Sequence, residues 1–385
     1  MDFELSEDQR LLVESAQRMV DAEIVPILDS NDRDRALDKK ELLRMFAVFA
    51  REGLTAPRLP AEAGGSGMKM LDYGMVFEQL PPVIAISLMS HEVTITRIHA
   101  ESTEGLRQRF LPDLIAGQKI CCTGSTEPET GSDPRGIKTR VTDDGKQLVI
   151  NGRKMWITNA SVSDIAVVTC VNTDAANERS PMRRITVERA ASPYETREIP
   201  CLGLRQGHLA EILFEDCRVP RDNALGQTGD AARVLTMTWN VNRPLMGLMA
   251  VHLAQKSLDA AIEYSGVRKQ FGRVIGGTQL VQERLADIAT AVETSRLLCY
   301  KALAQIDRGV RVNGLSAMAK RYATNACLQA ISLAMGVHGA MGISSELRME
   351  QLFRDARMLL VPDGTNEILT LMIGRELTGM DAFRA

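Results

Sequence analysis

The sequence predicts a multi-domain α + β chain in three parts. These are a helical N-terminal domain over residues 1–118, a small β-barrel or sandwich domain over 119–228, and a C-terminal four-helix-bundle domain over 229–385. Three observations predict it. Apolar residues recur at helical spacing towards both ends. Short apolar runs broken by turn residues crowd the middle third. Aromatics make up only 4% of the chain while Ala, Leu and Met abound, which favours helices packed on helices over an all-β fold. At 385 residues the chain is also too long for one ordinary core.

In the first part, Ser6 followed by Glu7-Asp8-Gln9 reads as an N-cap with acids in the first turn, ahead of Leu11, Leu12, Ala16, Met19 and Val20 at helical spacing. Leu42, Leu43, Phe46, Ala47 and Phe49-Ala50 mark a second helix that stops before Gly53. Residues 57–67 form a Pro/Gly-rich connector, and a later helix near Thr103 to Ile115 ends ahead of Gly117.

In the second part, Gln147 to Ile150, then Asn151-Gly152, then Arg153 to Thr158 predicts a hairpin, because Asn-Gly supplies both positive φ angles of a type I′ turn. Ile165 to Val171 has buried-strand length, and Ile212-Leu213-Phe214 and Cys217 to Pro220 read as the last strands. From about Ala231 helices return. Leu280, Val281, Leu285, Ile288, Val292, Leu297 and Leu298 trace one apolar stripe, and Leu315 to Val337 a second.

A formal net charge of −3 gives no support to nucleic-acid binding. No apolar run approaches the ~20 residues that cross a bilayer, so no membrane association is expected. The opening residues Met1 to Glu7 are acidic, unlike the basic-then-apolar layout of a signal peptide. Seven cysteines without a Cys-x-x-Cys pair read as reduced thiols of a cytoplasmic protein. The five histidines are scattered, so no metal site is expected, and no Gly-x-Gly-x-x-Gly follows a strand.

The most informative stretch is Ser125 to Asp133, a loop in which Pro128 fixes one φ, Gly131 permits close approach of a ligand, and Thr126 and Ser132 offer hydroxyls. Close behind comes Met155-Trp156-Ile157-Thr158-Asn159, where alternation along a strand would put Trp156 and Thr158 on one face. A flat aromatic and a hydroxyl beside a polar loop suit a planar heterocycle that carries phosphates.

The T-E-P-x-x-G-S-D run followed by M-W-I-T-N resembles the flavin-binding signature of the acyl-CoA dehydrogenases, and the likeness extends along nearly all of the chain. The resemblance implies FAD as cofactor, an acyl-CoA thioester as substrate, and flavin N5 as acceptor of the β-hydride. On the same footing Thr126, Gly131 and Ser132 would hold the ring edge and pyrophosphate, and Trp156, Ile157 and Thr158 the ring, with Ser132 also near substrate. Arg268-Lys269-Gln270-Phe271-Gly272 is similar to the family's R-x-x-F-G motif. There Arg268, Phe271 and the later Gln279 would reach a neighbouring subunit's flavin, which implies a homotetramer built as a dimer of dimers. Electrons would pass to an electron-transfer flavoprotein.

Leu360 to Ile368 carries the chemistry. By itself it reads as a Pro-Asp-Gly turn before a helix capped by Thr365. Within the resemblance, Gly364, Thr365 and Glu367 match the segment around flavin and substrate, and Asp363 stands where many members place a catalytic Glu. An aspartate is one methylene shorter and still a carboxylate base. Other departures accompany it. Pro362 replaces a bulkier residue, Asn240 stands where Asp is frequent near CoA while Arg243 is kept, and Asn242 occupies an alternative base position. Gly336 replaces a Gln that contacts the neighbour's flavin, and Ala340 replaces a Gly. These leave three readings: oxidation of an acyl-CoA, a specialised relative (enoyl-CoA reduction, β-elimination, or an acyl-carrier-protein thioester), or a non-catalytic partner subunit. Pocket walls are expected from Leu88 to Ile98 and from Trp239 to Leu245, and their apolar character points to a small to medium acyl chain.

Overall fold

The computed structural model describes residues 4–173, 182–226 and 231–382, apart from the side chains of 135 and 231–237. The expected boundary at 228/229 falls among residues 227–230, outside the described residues.

The N-terminal part is helical: α1 (Glu7–Met19), α2 (Val25–Asp29), α3 (Lys39–Arg51), α4 (Met70–Gln79), α5 (Pro82–Glu101) and α6 (Glu104–Ile115). Ser6 and Gln9 close a reciprocal capping box on α1, and Thr103 caps α6 by accepting from Leu106 N. A single π-helical stretch, Val20–Ile24, joins α1 to α2.

The middle part is one mixed eight-stranded sheet: β1 (Cys121–Gly124), β2 (Arg140–Asp143), β3 (Gln147–Thr158), β4 (Ile165–Asn172), β5 (Met182–Glu188), β6 (Glu195–Glu198), β7 (Leu209–Pro220) and β8 (Ala224–Leu225). The order is β6-β7-β3-β2-β4-β5-β8, with β1 parallel to β4. The Asn151-Gly152 pair is not the predicted hairpin turn. β3 runs through it unbroken, and the reversal lies earlier, where Asp144 N bonds Gln147 O and Gly145 takes φ +90°. Gly152 instead occupies a bulge against β7, at φ +146°, where a Cβ would lie 2.6 Å from Thr139 Cα. Positive φ and glycine marked the right place and the wrong device.

Beyond residue 230 come α7 (Ala231–Val267), a short hairpin of β9 (Lys269–Gln270) with β10 (Arg273–Val274), α8 (Gln279–Asp307), α9 (Asn313–His338), α10 (Met349–Met358) and α11 (Asn366–Thr378). The predicted stripe on α8 is only partly core. Ile288 and Val292 are buried with Cys299 and Leu303, whereas Leu280 and Leu297 are 71% and 38% exposed.

Packing ties the two helical parts together. Phe46, Phe77 and Leu80 share one core with Leu248, Leu303 and Ile331. At its seam a Cβ on Gly74 of α4 would meet Leu303 Cδ1 at 2.3 Å, so α4 seats directly on α8. The sheet keeps a core of its own around Ile150, Val168, Ile185 and Phe214. A smaller apolar cluster joins Ile95 and Ile98 of α5 to Cys121 and Ile165. Each such fully buried aliphatic side chain contributes about 1.5–3 kcal/mol relative to exposure. Helix α5 is therefore clamped between helices and sheet, and the site lies along it.

Candidate active site

Two groups of the expected residues are each drawn together. The first is the loop before β2. Glu127 N bonds Thr130 O at 2.9 Å and Thr130 N returns to Glu127 O at 3.2 Å, closing a tight bridge that presents Gly131 and Ser132. Met155 N donates to Thr126 O at 2.9 Å, so this loop lies beside the end of β3. There the pairing with β7 skips from Lys154 to Ile157, and Trp156 takes φ +62° with half its surface exposed. The plain alternation expected for Trp156 and Thr158 is thus broken by a bulge, which turns a large aromatic out of the sheet. Ile157 is buried in the sheet core.

What holds this loop is a pair the sequence reading passed over. Lys154 Nζ, fully buried, bonds Glu127 Oε1 at 2.7 Å, and the same carboxylate accepts from Lys138 N and Thr139 N at 2.7 and 2.9 Å. Burial pushes the Glu127 carboxyl up, but Lys154 and the donors from Thr139 and Lys138 outweigh it and leave it below its ordinary range.

The second group surrounds the turn before α11. Asp363 takes φ +54° and Gly364 φ +99°, then Thr365 caps the helix by accepting from Ile368 N. Two cations fix the backbone of this turn. Arg243 Nε donates to Asp363 O at 3.1 Å, and Lys320 Nζ donates to Leu360 O at 3.1 Å and Gly364 O at 2.5 Å. Burial pulls the Lys320 amine down to about 7, against the pull of the Asp363 carboxylate. Asp363 as a residue is half-buried, and its carboxyl is hydrogen-bonded by Asn242. Burial raises its pKa, opposed in turn by Lys320, Arg243 and Arg97. Asn240 is bound by its amide to Asn313 Oδ1 at 2.5 Å, while its own Oδ1 is buried without a partner. Glu367 is exposed at the start of α11, beside a cleft of about 360 Å³ lined also by Thr365, Arg321 and Arg357.

The third set stands apart on the surface of the chain. Arg268 and Gln279 are exposed, and Phe271, at φ +50° on the β9–β10 hairpin, is completely so. Gly336 lies beneath Arg284, whose Nη1 would be 3.0 Å from an added Cβ.

Comparison with known proteins places these features. Residues 6–118, 122–217 and 231–378 match the family models for the acyl-CoA dehydrogenase N-terminal, middle and C-terminal domains. The chain belongs to the acyl-CoA dehydrogenase family. Among its relatives, the probable acyl-CoA dehydrogenase YngJ of Bacillus subtilis is 32% identical over 98% of this chain and 100% of its own length. A cyclohex-1-ene-1-carbonyl-CoA dehydrogenase of Geobacter metallireducens is 34% identical over 97% of this chain and 98% of its own. A solved glutaryl-CoA dehydrogenase from Mycobacterium smegmatis in complex with FADH2 superposes with a TM-score of 0.89 at 26% identity, over 99% of this chain and 97% of that one.

The predicted fold class and family are therefore borne out, and this acyl-CoA dehydrogenase is an FAD-dependent oxidoreductase acting on CH–CH bonds. The residues present suit such a cofactor. A half-exposed Trp156, the hydroxyls of Thr126 and Ser132 on an adjoining loop, and the cleft beside Thr365 and Glu367 supply a flat surface and polar donors. Among the described residues, no three His, Cys, Asp or Glu side chains converge as a metal site. No described helix is long and apolar enough to cross a membrane.

One expectation fails in detail. The stretch Leu88 to Ile98 was expected to be apolar wall, yet Glu92 and Arg97 are buried within it at 0% and 3% exposure. These two charges were the signal in the stretch, and Arg58, the partner of Glu92 from the Pro/Gly-rich connector, carried none.

Proposed function

We propose that this acyl-CoA dehydrogenase introduces an α,β double bond into an acyl-CoA thioester with Asp363 as the base. The observation that carries the reading is the setting of Asp363. It sits at a backbone turn pinned by Arg243 and Lys320, keeps some exposure, and has a pKa raised by burial. A carboxylate so placed is a stronger base than one in water and is ready to take a Cα proton. Glu92, the carboxyl linked to it through Arg58 and Asn242, is instead fully buried and committed to an ion pair with Arg58.

FAD, when bound, supplies the acceptor for the hydride that leaves Cβ. Thr126, Gly131, Ser132, Trp156, Ile157 and Thr158 would hold it within the chain, with Thr365 and Glu367 at the cleft before α11. Arg268, Phe271, Gln279 and Gly336 would serve the flavin of a second copy. Ser132, Asn240, Arg243 and Gly364 are the proposed substrate contacts. Asp363 takes the proton, Arg243 and Lys320 keep its turn from moving, and Asn242 orients its carboxyl.

The assembly proposed is a homotetramer, a dimer of dimers, with electrons leaving to an electron-transfer flavoprotein. Support for association comes from apolar side chains left uncovered on α7–α9: Ile262, Val267, Leu280, Leu297, Met318 and Tyr322 are each at least 38% exposed. All seven cysteines are free, which supports a cytoplasmic setting. The domain limits proposed remain 1–118, 119–228 and 229–385.

The test is anaerobic mixing of the flavin-loaded protein with a panel of acyl-CoA thioesters. Bleaching of the flavin spectrum by at least one saturated thioester, with the matching enoyl product, is expected. Turnover that proceeds without any electron acceptor would replace this reading with elimination.

A further inference from the structure

Behind Asp363 the fold buries charges that proton abstraction does not use. Arg58 bonds Glu92 Oε1 at 2.5 Å and Asn242 Oδ1 at 3.1 Å. Arg184 clasps Glu101 with two bonds of 2.8 and 2.6 Å. Each of these guanidinium groups has its carboxylate. Arg97, on α5 between Glu92 and Glu101, has none: it is 3% exposed, and its Nε and Nη1 are buried without a hydrogen-bond partner. Its charge is felt by Asp363, Arg58, Arg184 and Glu101. Around the proposed base, among the described residues, four buried guanidinium nitrogens (Arg58 Nε, Arg97 Nε and Nη1, Arg243 Nη1) lack acceptors, against a single unpartnered carboxylate oxygen, Glu92 Oε2.

A buried cation with open donors is strongly disfavoured unless an anion completes it. The planar fork of arginine matches a carboxylate bidentately. The diphosphate of CoA is too bulky for a side chain so enclosed. Moreover, what approaches Asp363 in a dehydrogenation is the acyl group itself, since a base must come within hydrogen-bond reach of the proton it takes. We infer that Arg97 is a specificity residue for an acyl group that carries its own carboxylate, so that the substrate is a CoA monothioester of a short dicarboxylic acid. This rests on the reading of Asp363 as the base, and it replaces the plain apolar chain expected from the sequence.

The experiment measures binding and flavin reduction separately, on flavin-loaded wild type, Arg97→Met and Arg97→Lys. The probes are succinyl-CoA and glutaryl-CoA against butanoyl-CoA and pentanoyl-CoA. Calorimetry should show wild type binding at least one carboxylated thioester about 100-fold or more tighter than its methyl-ended match, the scale on which a site with unpaired polar groups rejects an analogue that leaves them so. Arg97→Met should lose that preference while binding of the neutral thioesters stays within a few-fold, and Arg97→Lys should keep part of it. Equal binding of both kinds by wild type, or an equal loss for both in Arg97→Met, overturns the inference, the second result assigning the anion to the carrier. Should Arg97→Met fail to fold, the wild-type preference and Arg97→Lys decide alone. A preference for the carboxylated thioester without flavin reduction by any thioester would leave Arg97 as assigned and remove Asp363 as the base.

Discussion

Arg243 on α7 donates from Nε to the main-chain oxygen of Asp363 at 3.1 Å, so the helix that begins the C-terminal part holds the turn that leads into its last helix. The side chain of Asp363 is thereby left to Asn242 and to substrate. Asp363→Asn retains shape and removes the proposed base. Stopped-flow flavin reduction by the best thioester is expected to slow by about 10²–10⁴-fold, the usual worth of a positioned general base, with thioester binding little changed. An undiminished rate would exclude Asp363.

The same setting predicts a pH profile. Burial raises the Asp363 pKa, and Lys320 is the largest of the cations that hold it back. Only the carboxylate takes a proton, so the rate of flavin reduction should climb as pH rises through a midpoint above the ~3.9 of an ordinary aspartate. Removing the Lys320 cation in Lys320→Met disfavours the carboxylate further, and the midpoint should move to higher pH. A midpoint that stays put or falls would show that Lys320 does not act on Asp363.

Glu92 offers a stability test that does not depend on catalysis. Burial raises its carboxyl from 4.5 to about 7, with Arg58 opposing. Between those values the folded chain holds a proton at this group that the unfolded chain has lost, so its contribution is complete below the lower value and disappears as pH climbs to the higher. Glu92→Gln is neutral throughout. In urea denaturation at about pH 5 and about pH 7.5, the variant should gain on wild type at the higher pH. A gap between the two that is constant with pH would place the Glu92 pKa near its unfolded value.

Helices at both ends were legible because their apolar spacing and caps are local: Ser6 and Thr365 cap in the structure as they read in the sequence. The order of helices, strands and helices followed from the same local signals. What local signals could not carry was register. Asn151-Gly152 has the composition of a turn, but Asn151 is clamped to Asp216 by bonds of 3.0 and 2.9 Å, and only pairing with a strand some sixty residues away makes a bulge there. The buried ion pairs were illegible for a similar reason. Arg58 and Glu92 lie 34 residues apart, and neither looks unusual until the fold removes both from water.

Lys154 and Glu127 show how much depends on one such pair. Glu127→Gln would leave Lys154 buried at 0% exposure without its countercharge and weaken two backbone bonds of the loop. Breaking a buried pair from one side typically costs about 3–5 kcal/mol, so a large fall in denaturation midpoint and loss of flavin on gel filtration are expected together. Replacing both residues in Glu127→Met with Lys154→Met should restore much of the stability without restoring flavin retention, since the loop donors stay unplaced. Recovery of both would make the pair a matter of packing alone.

The exposed hairpin gives a sharper separation between fold and cofactor. Arg268 and Phe271 lie on the surface of the chain, and Phe271 has no cover at all, so Arg268→Ala and Phe271→Ala should alter the stability of the flavin-free protein by no more than about 0.5 kcal/mol. If these side chains hold the flavin of a second copy, the flavin-to-protein ratio after purification should nevertheless fall, and added FAD should restore it only at higher concentration. Sedimentation velocity keeps the two possible causes apart. Reduced flavin content with the assembly intact places the residues on the neighbour's cofactor, whereas dissociation would make them interface contacts only. Full flavin content in both variants would confine the cofactor site to residues of a single chain.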